Sequence, residues 1–274
     1  MVSAVRFRRA HDCLSVARPY TEGIDGIVKR VTSASDGTLH PFLVVRDRRS
    51  IGICVAGSDR GLCGAFNINV IREAEQLALK LSDEARSAGP KSRGNGAIEI
   101  YFLPVGRKVF RHFRRKAGEP LYSVPELGAS VTSSLANDLA NQLIRLYLEG
   151  KLDEIWLVFT HFISSGSRRV ATRRLLPLKL EQSAGVAKGY GYLYEPRAQE
   201  LLQLLLPRYV STGVFMALSE SSASEHSARM VAMSFATRNA DDMVDDLTLS
   251  ANRARQSSIT KEIADIVGTA EVLR

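Results

Sequence analysis

The sequence predicts a mixed α/β fold: a three-layer, Rossmann-like domain joined to a long antiparallel two-helix coiled coil formed by the N- and C-terminal helices. Three observations carry this. The middle of the chain alternates short apolar runs with amphipathic helical patterns, as a largely parallel sheet covered by helices requires. Between Gly213 and Gly268 there is neither glycine nor proline. As one helix that stretch would run about 80 Å, at 1.5 Å per residue. Its apolar residues recur at alternate spacings of three and four, a heptad seam. The predicted division is an N-terminal coiled-coil helix over 1–40, an α/β domain over 41–205 and a C-terminal coiled-coil helix over 206–274.

Residues 1–33 read as a helix with Ile24, Ile27, Val28 and Val31 on one face, and with a kink or fray expected near Pro19 and Gly26. "SASDGTLHP" closes it with turn formers. "FLVV" and "IGICVAG" read as strands, followed by an amphipathic helix from Asn67 to near Gly89. "AIEIYFLPV" is a strand and "GRKVFRHFRRKAG" a short basic helix. The helix in "SVTSSLANDLANQLIRLYLEG" is capped by Ser130 or Thr132 and stopped by Gly150. "EIWLVFTHFI" and "VATRRLLPLKL" are strands, the second a candidate sheet edge. "PRAQELLQLLLPRYV" is a helix that leads out of the domain.

In the C-terminal stretch the seam runs Met230, Met233, Thr237, Ala240, Val244, Leu247, Ala251, Ala254. A second seam, shifted by one, continues as Ile259, Ile263, Ile266, Ala270, Leu273. Many of these side chains are small, so helices can approach closely while burying little area per residue. The partner helix is expected to be the N-terminal segment.

At 274 residues the chain can bury a sizeable core. No run approaches the roughly 18 uninterrupted apolar residues of a membrane span. "MVSAVRFRRAH" is basic but lacks the apolar centre of a secretory signal, and Asp12 and Glu22 argue against a transit peptide. Cys13, Cys54 and Cys63 form no C-x-x-C and no paired framework, which fits free thiols in a reducing compartment. The scattered histidines make no metal-binding motif, so no metal site and no cofactor is expected. The net charge of +8 points to a solvated basic surface or to an acidic partner. The basic clusters "RFRR", "RDRR", "RHFRRK" and "SRRVATRR" fall in different elements, which argues against one nucleic-acid footprint.

"SDRGLCGAFN", Ser58 to Asn67, follows the first long strand as a phosphate-binding loop would. It is not one by pattern. Gly57, Gly61 and Gly64 are spaced four and three apart, no Lys-Ser or Lys-Thr follows, and G-x-G-x-x-G is absent. Cys63 at a helix start has the placement of a nucleophile, but no histidine is near it in sequence, and burial is the commoner fate of a lone cysteine. Glycine here suits tight packing where strand meets helix, with Asp59 and Arg60 at the mouth free to pair with each other or with another chain.

The same stretch resembles a motif of the gamma subunits of F-type ATP synthases, S-D-R-G-L-C-G-x-x-N. "SEHSARMVAMSFATRNA" (Ser224 to Ala240) and "NRARQSSITKEIADIV" (Asn252 to Val267) are similar to two further motifs of that family, and "YLYEP" followed by "LLPRYV" agrees as well. The resemblance spans essentially the whole chain in matching order. It aligns "MVSAVRFRRA" inside the family's first helix, so either the start has been misassigned or the N-terminal helix is a shortened one. Ala251 stands where an aromatic is common and Thr269 where glycine is usual.

The resemblance implies a non-catalytic, asymmetric central shaft. One copy would turn inside a ring of three alpha and three beta subunits, with the catalytic sites on beta. Its foot would meet the epsilon subunit and the membrane c-ring, coupling proton flow to ATP synthesis. It implies a peripheral position on the cytoplasmic face of the bacterial inner membrane, with no inserted segment and no nucleic acid bound. By the same resemblance, Arg229, Arg255, Gln256, Thr260, Glu262, Ile263, Ile266 and Val267 contact the alpha/beta ring. Asp59, Arg60 and Cys63 belong to the foot. An α/β enzyme and a nucleic-acid-binding rod are the alternatives from other classes. The first lacks convergent acid, base or nucleophile residues, and the second lacks interleaved aromatics.

Overall fold

The computed structural model describes residues 2–34, 40–87, 98–128, 130–179 and 194–272. The elements run α1 (Val2–Ala34), β1 (Ser50–Ala56), α2 (Phe66–Ser87), β2 (Glu99–Val105), α3 (Arg107–Ala117), α4 (Ser133–Leu148), β3 (Glu154–Phe162), β4 (Arg168–Leu176) and α5 (Ala198–Val272). They form two compact units, residues 1–230 and 231–274.

In the first unit a four-stranded sheet has the order β2-β1-β3-β4. β1 pairs in parallel with β2 and β3, and β4 closes one edge antiparallel to β3. β1 is buried on both faces, as the central strand of a parallel sheet must be. Ile51, Ile53 and Val55 pack with Val70, Ala74 and Leu77 of α2 and with Val109 and Phe113 of α3. Cys54 and Ala56 face the other way, toward Leu139, Ala140 and Leu143 of α4 and the apolar faces of α1 and α5. These are the three predicted layers. The cap of α4 is Thr132, whose hydroxyl accepts from Leu135 N, and not Ser130.

α1 runs antiparallel to the first part of α5. Ile24, Val28 and Val31 pack in one core with Leu202, Leu206, Val210 and Val214. Farther along, Leu14 meets Met216 and Ala223. Tyr209 Oη donates to Asp25 Oδ1 at 2.9 Å, and Arg208 Nε donates to Tyr20 Oη at 2.9 Å. The antiparallel pair is present, but α1 finds its partner in residues 202–223 and not along the predicted seam. Leucine and valine bury more apolar area per contact than the small residues of the seam, so that register is favoured. α5 contains an 18-residue stretch with mean hydropathy 1.4, long and apolar enough by composition to cross a membrane. Leu202, Leu206, Val210 and Val214 on this helix are core residues.

Three local expectations differ from the structure. α1 continues through Pro19 and Gly26, and the helix at 196–210 is the start of α5 and not a separate element. "FLVV" is a turn and an extended loop, not a strand. Phe42 is buried on Tyr147 while Val44 and Val45 are exposed, and Tyr147 Oη donates to the carbonyls of Pro41 and Val44. A side chain satisfies the backbone there, so no ladder is needed.

In the second unit the chain is helical to Val272, and every residue from Ser234 to Ile266 is exposed. The apolar seam positions Val244, Leu247, Ile259, Ile263 and Ile266 are among them. Leu273 lies outside the described residues.

Candidate functional site

The loop after β1 is built from inside. Asn67 Oδ1 accepts from Ser58 N at 3.1 Å, and Asn67 Nδ2 donates to Ser58 Oγ at 2.8 Å. Ser58 Oγ donates onward to Arg60 O at 2.7 Å. Cys63 is buried, lies 3.3 Å from Asn67 Nδ2, and packs on Phe66 and Ala228 of α5. Its side chain is buried inside the loop, so within this chain it shapes the segment from beneath. The loop presents Arg60 and Leu62 instead. Leu62 is 72% exposed and sits at φ 62, a left-handed conformation costing a non-glycine residue about 1–2 kcal/mol. Sequence reading missed it, because nothing in "RGLCG" marks the leucine as the strained residue.

Asp59 faces inward as well. Its Oδ1 accepts from Arg107 N at 3.1 Å, and its Oδ2 accepts from Leu127 N at 2.9 Å and Gly128 N at 3.1 Å. The carboxylate thus sits at the N-terminus of α3, whose own cap residue, Gly106, has no side chain to offer. A phosphate-binding loop would hold its ligand with backbone N–H groups. Here the chain's own anion takes three of them.

Arg229 reaches this loop from α5. Its Nε donates to Gly61 O at 3.1 Å and its Nη2 to Arg60 O at 3.4 Å. Nη2 also pairs with Glu225 Oε1 at 2.5 Å, and Nη1 lies 3.2 Å from His226 Nδ1. The Arg229 and Glu225 side chains are 13% and 12% exposed. The resemblance placed Arg229 with the ring-contacting residues. The structure brings it together with the loop of Asp59, Arg60 and Cys63, as the bolt between the first motif and the second.

The serines of "ALSESSASEHSAR" have a matching task. β1 pairs with β3 only as far as Val158, so the next backbone groups of β3 on that side need other partners. Ser221 Oγ accepts from Thr160 N at 3.0 Å, and Ser224 Oγ donates to Thr160 O at 3.3 Å. Ser227 Oγ donates to Ser165 O, and His161 Nδ1 lies 2.6 Å from Glu220 Oε2. A helix face that reads as unusually polar is therefore buried, and directional bonds fix its register against the sheet.

Burial, followed by the charges of Arg229 and Arg6, pushes His226 down to about 4, well below the usual imidazole value of about 6.5. The folded state thus prefers the neutral ring. Its contribution to stability is complete above about pH 6.5 and is lost as pH falls toward 4. Glu225, raised above the ordinary carboxylate range mainly by burial and opposed by Arg229, takes up its proton with the opposite sign of effect. The urea midpoint of the chain is expected to fall more steeply between pH 6.5 and 5 than that of His226→Gln. Equal slopes would show that His226 is not the group responsible.

In the second unit Arg255, Gln256, Thr260, Glu262, Ile263 and Ile266 lie on exposed helix surface. Glu262 accepts a 3.4 Å bond from Ser258 Oγ. The Val267 side chain lies outside the described residues.

Arg229 bolts the β1 loop of this α/β unit to α5, a helix of 75 residues, which defines an α/β protein with a long C-terminal helix. The family model described as ATP synthase matches residues 1–273. The ATP synthase gamma chain of Pelotomaculum thermopropionicum is 39% identical over 272 residues, 99% of this chain and 90% of that one. The ATP synthase gamma chain of Nitratidesulfovibrio vulgaris is likewise 39% identical, over 100% of this chain and 91% of that one. The chain belongs to the ATP synthase gamma-chain family. Its fold is shared with a chain of the central stalk and c-ring structure of Tetrahymena thermophila mitochondrial ATP synthase, with a TM-score of 0.57 and 21% identity over 86% of this chain and 100% of that one. A chain of the Euglena gracilis mitochondrial ATP synthase gives 0.58 and 16% identity over 97% and 94%.

Proposed function

We propose that this gamma chain acts as the non-catalytic central shaft of a bacterial proton-translocating ATP synthase. One copy sits in a ring of three alpha and three beta subunits, with catalysis on beta. The observation that carries the reading is the exposed apolar seam of residues 234–266, which matches a helix enclosed by other subunits. A single asymmetric shaft in a threefold ring touches each catalytic subunit differently. Moving a two-state equilibrium from 1:99 to 99:1 takes about 5.5 kcal/mol of differential contact. Rotation driven from the membrane sector redistributes that energy around the ring.

Within this shaft, Ile263, Ile266 and Val267 supply non-directional apolar contact suited to a bearing. Arg255 and Gln256 offer donors to acidic or carbonyl groups of a beta loop, with Thr260 and Glu262 about one turn farther along. The foot, facing epsilon and the c-ring, uses Arg60 and Leu62 as its exposed surface, while Asp59 and Cys63 hold that surface in shape. The complex is peripheral, on the cytoplasmic face of the bacterial inner membrane.

The test is to purify the chain with its cognate alpha and beta subunits and to measure stoichiometry and ATPase rate. One copy per ring, with a rate above that of the ring alone, is expected. Arg255→Ala and Gln256→Ala should lower that rate while leaving the unfolding free energy of the free chain, read by urea denaturation, within about 0.5 kcal/mol of wild type, as surface positions do. Failure to associate would overturn the reading.

A further inference from the structure

A cavity of about 250 Å³ opens at the carboxyl ends of β1 and β2, the end of an open α/β sheet where ligands bind. Four guanidinium groups line it, those of Arg6, Arg60, Arg107 and Arg229. Three carboxylates face them. Two are already matched, because Arg107 pairs with Glu126 and Arg229 with Glu225. Asp59, the third, is held by three backbone N–H groups. Among the described residues Arg6 and Arg60 form no direct ion pair, and although the Arg6 charge is felt at Glu225, that carboxylate is bonded to Arg229, so the guanidinium donors of Arg6 and Arg60 stay open to a ligand.

We infer that this cavity binds a small free oxyanion of the phosphate type, held by Arg6 and Arg60 across the Asp59 loop. Recognition is by side chains, since the backbone N–H groups of Arg107, Leu127 and Gly128, all residues of the cavity wall, are taken by Asp59. Guanidinium suits the task because its planar fork donates two parallel bonds to an oxyanion. Water takes about 30 Å³ per molecule in the liquid, so the cavity has room for the ion and several waters. Glu225, His226 and Arg229 on the α5 side are largely buried, which favours a small ion over a protein side chain entering from outside. Arg6 belongs to α1, Arg60 to the β1 loop and Arg229 to α5, so the bound ion would draw together the three segments that mount the shaft. The inference does not depend on the ring contacts proposed above.

The test titrates the full-length chain with sodium phosphate, and with sodium chloride at matched ionic strength, by calorimetry and thermal unfolding. Phosphate is expected to bind with measurable heat. At ten times Kd it should raise the folded-to-unfolded ratio about elevenfold, with chloride having no such effect. Arg6→Gln and Arg60→Gln should each weaken phosphate at least about tenfold, the worth of one charge-assisted bond. Arg238→Gln, outside the cavity, should not. A phosphate response equal to that of chloride overturns the proposal, as does one that survives in the double variant, which would mean an adventitious ion only. No phosphate response, together with weakened subunit assembly in Arg6→Gln or Arg60→Gln, would assign the cavity to a partner's carboxylate and equally overturn it. The wild-type comparison stands even where a variant fails to fold.

Discussion

Arg229→Ala is expected to cost about 3–5 kcal/mol of folding stability, the range for removing one partner of a buried ion pair. The expectation rests on what the truncation leaves behind. Glu225, 12% exposed, would keep a buried carboxylate with no cation bonded to it. The carbonyls of Gly61 and Arg60 would each lose a donor. Burial already pushes Glu225 above the usual carboxylate range, and Arg229 is the first influence that opposes it. Without that guanidinium the carboxyl should protonate more readily, so the penalty should shrink as pH falls. Arg229→Lys retains the charge but not the fork that serves Gly61 and Glu225 together, and should recover only part of the loss. Glu225→Met with Arg229→Met separates stability from grip. Replacing a buried pair by apolar residues is often neutral or better for stability. The double variant should therefore fold well yet release the Arg60–Leu62 loop, seen as faster amide exchange across residues 60–64. Urea denaturation of the full chain checks the first effect. A loss below about 1 kcal/mol for Arg229→Ala would mean that the pair is solvated in solution and that the bolt is not structural.

Much of this arrangement was legible in the sequence, and the parts that were not share a cause. "IGICVAG", "AIEIYFLPV" and "EIWLVFTHFI" are long apolar runs of the kind a largely parallel sheet draws on, and all three are strands. The apolar run "FLVV" was misleading because apolarity alone does not supply a ladder partner. Tyr147, about a hundred residues away, serves those carbonyls instead. The same limit applies to the site. The two motifs containing Asp59 and Arg229 were each visible, but nothing local says that they meet 168 residues apart. One signal did point that way: a glycine-free helix packed with serines, glutamates and a histidine between Ser219 and Arg229. So polar a run is poorly suited to an apolar core face. Directional partners at β3 and the β1 loop are what make its burial possible.

The loop's glycines answer to packing, and Gly57→Ala tests that directly. A Cβ at Gly57 would lie 1.9 Å from Val109 Cγ2 and 3.0 Å from Val109 Cβ. Val109 is fully buried and β-branched, so its χ1 is stiff and the clash has no cheap relief. The neighbouring backbone cannot retreat either. Gly57 N donates to Val105 O at 2.8 Å, and Gly106, at φ 99, leaves only 3.0 Å between its own added Cβ and the Gly57 carbonyl carbon. Two glycines thus let the end of β1 and the start of α3 touch backbone to backbone. Overpacking of this kind typically costs about 1–3 kcal/mol and occasionally more, and Gly57→Ala is expected at or beyond the upper end. Val109→Ala added to Gly57→Ala should recover part of the loss although Val109→Ala alone destabilises, a coupling that only direct contact produces. Gly64→Ala is the contrast: nothing lies within 4 Å, and its φ of 58 should cost only about 1–2 kcal/mol. Gly57→Ala with normal stability and impaired phosphate binding would move the glycine from packing to ligand contact. A stability loss relieved by shortening Val109 would confirm that this turn is glycine-rich to join a strand to a helix.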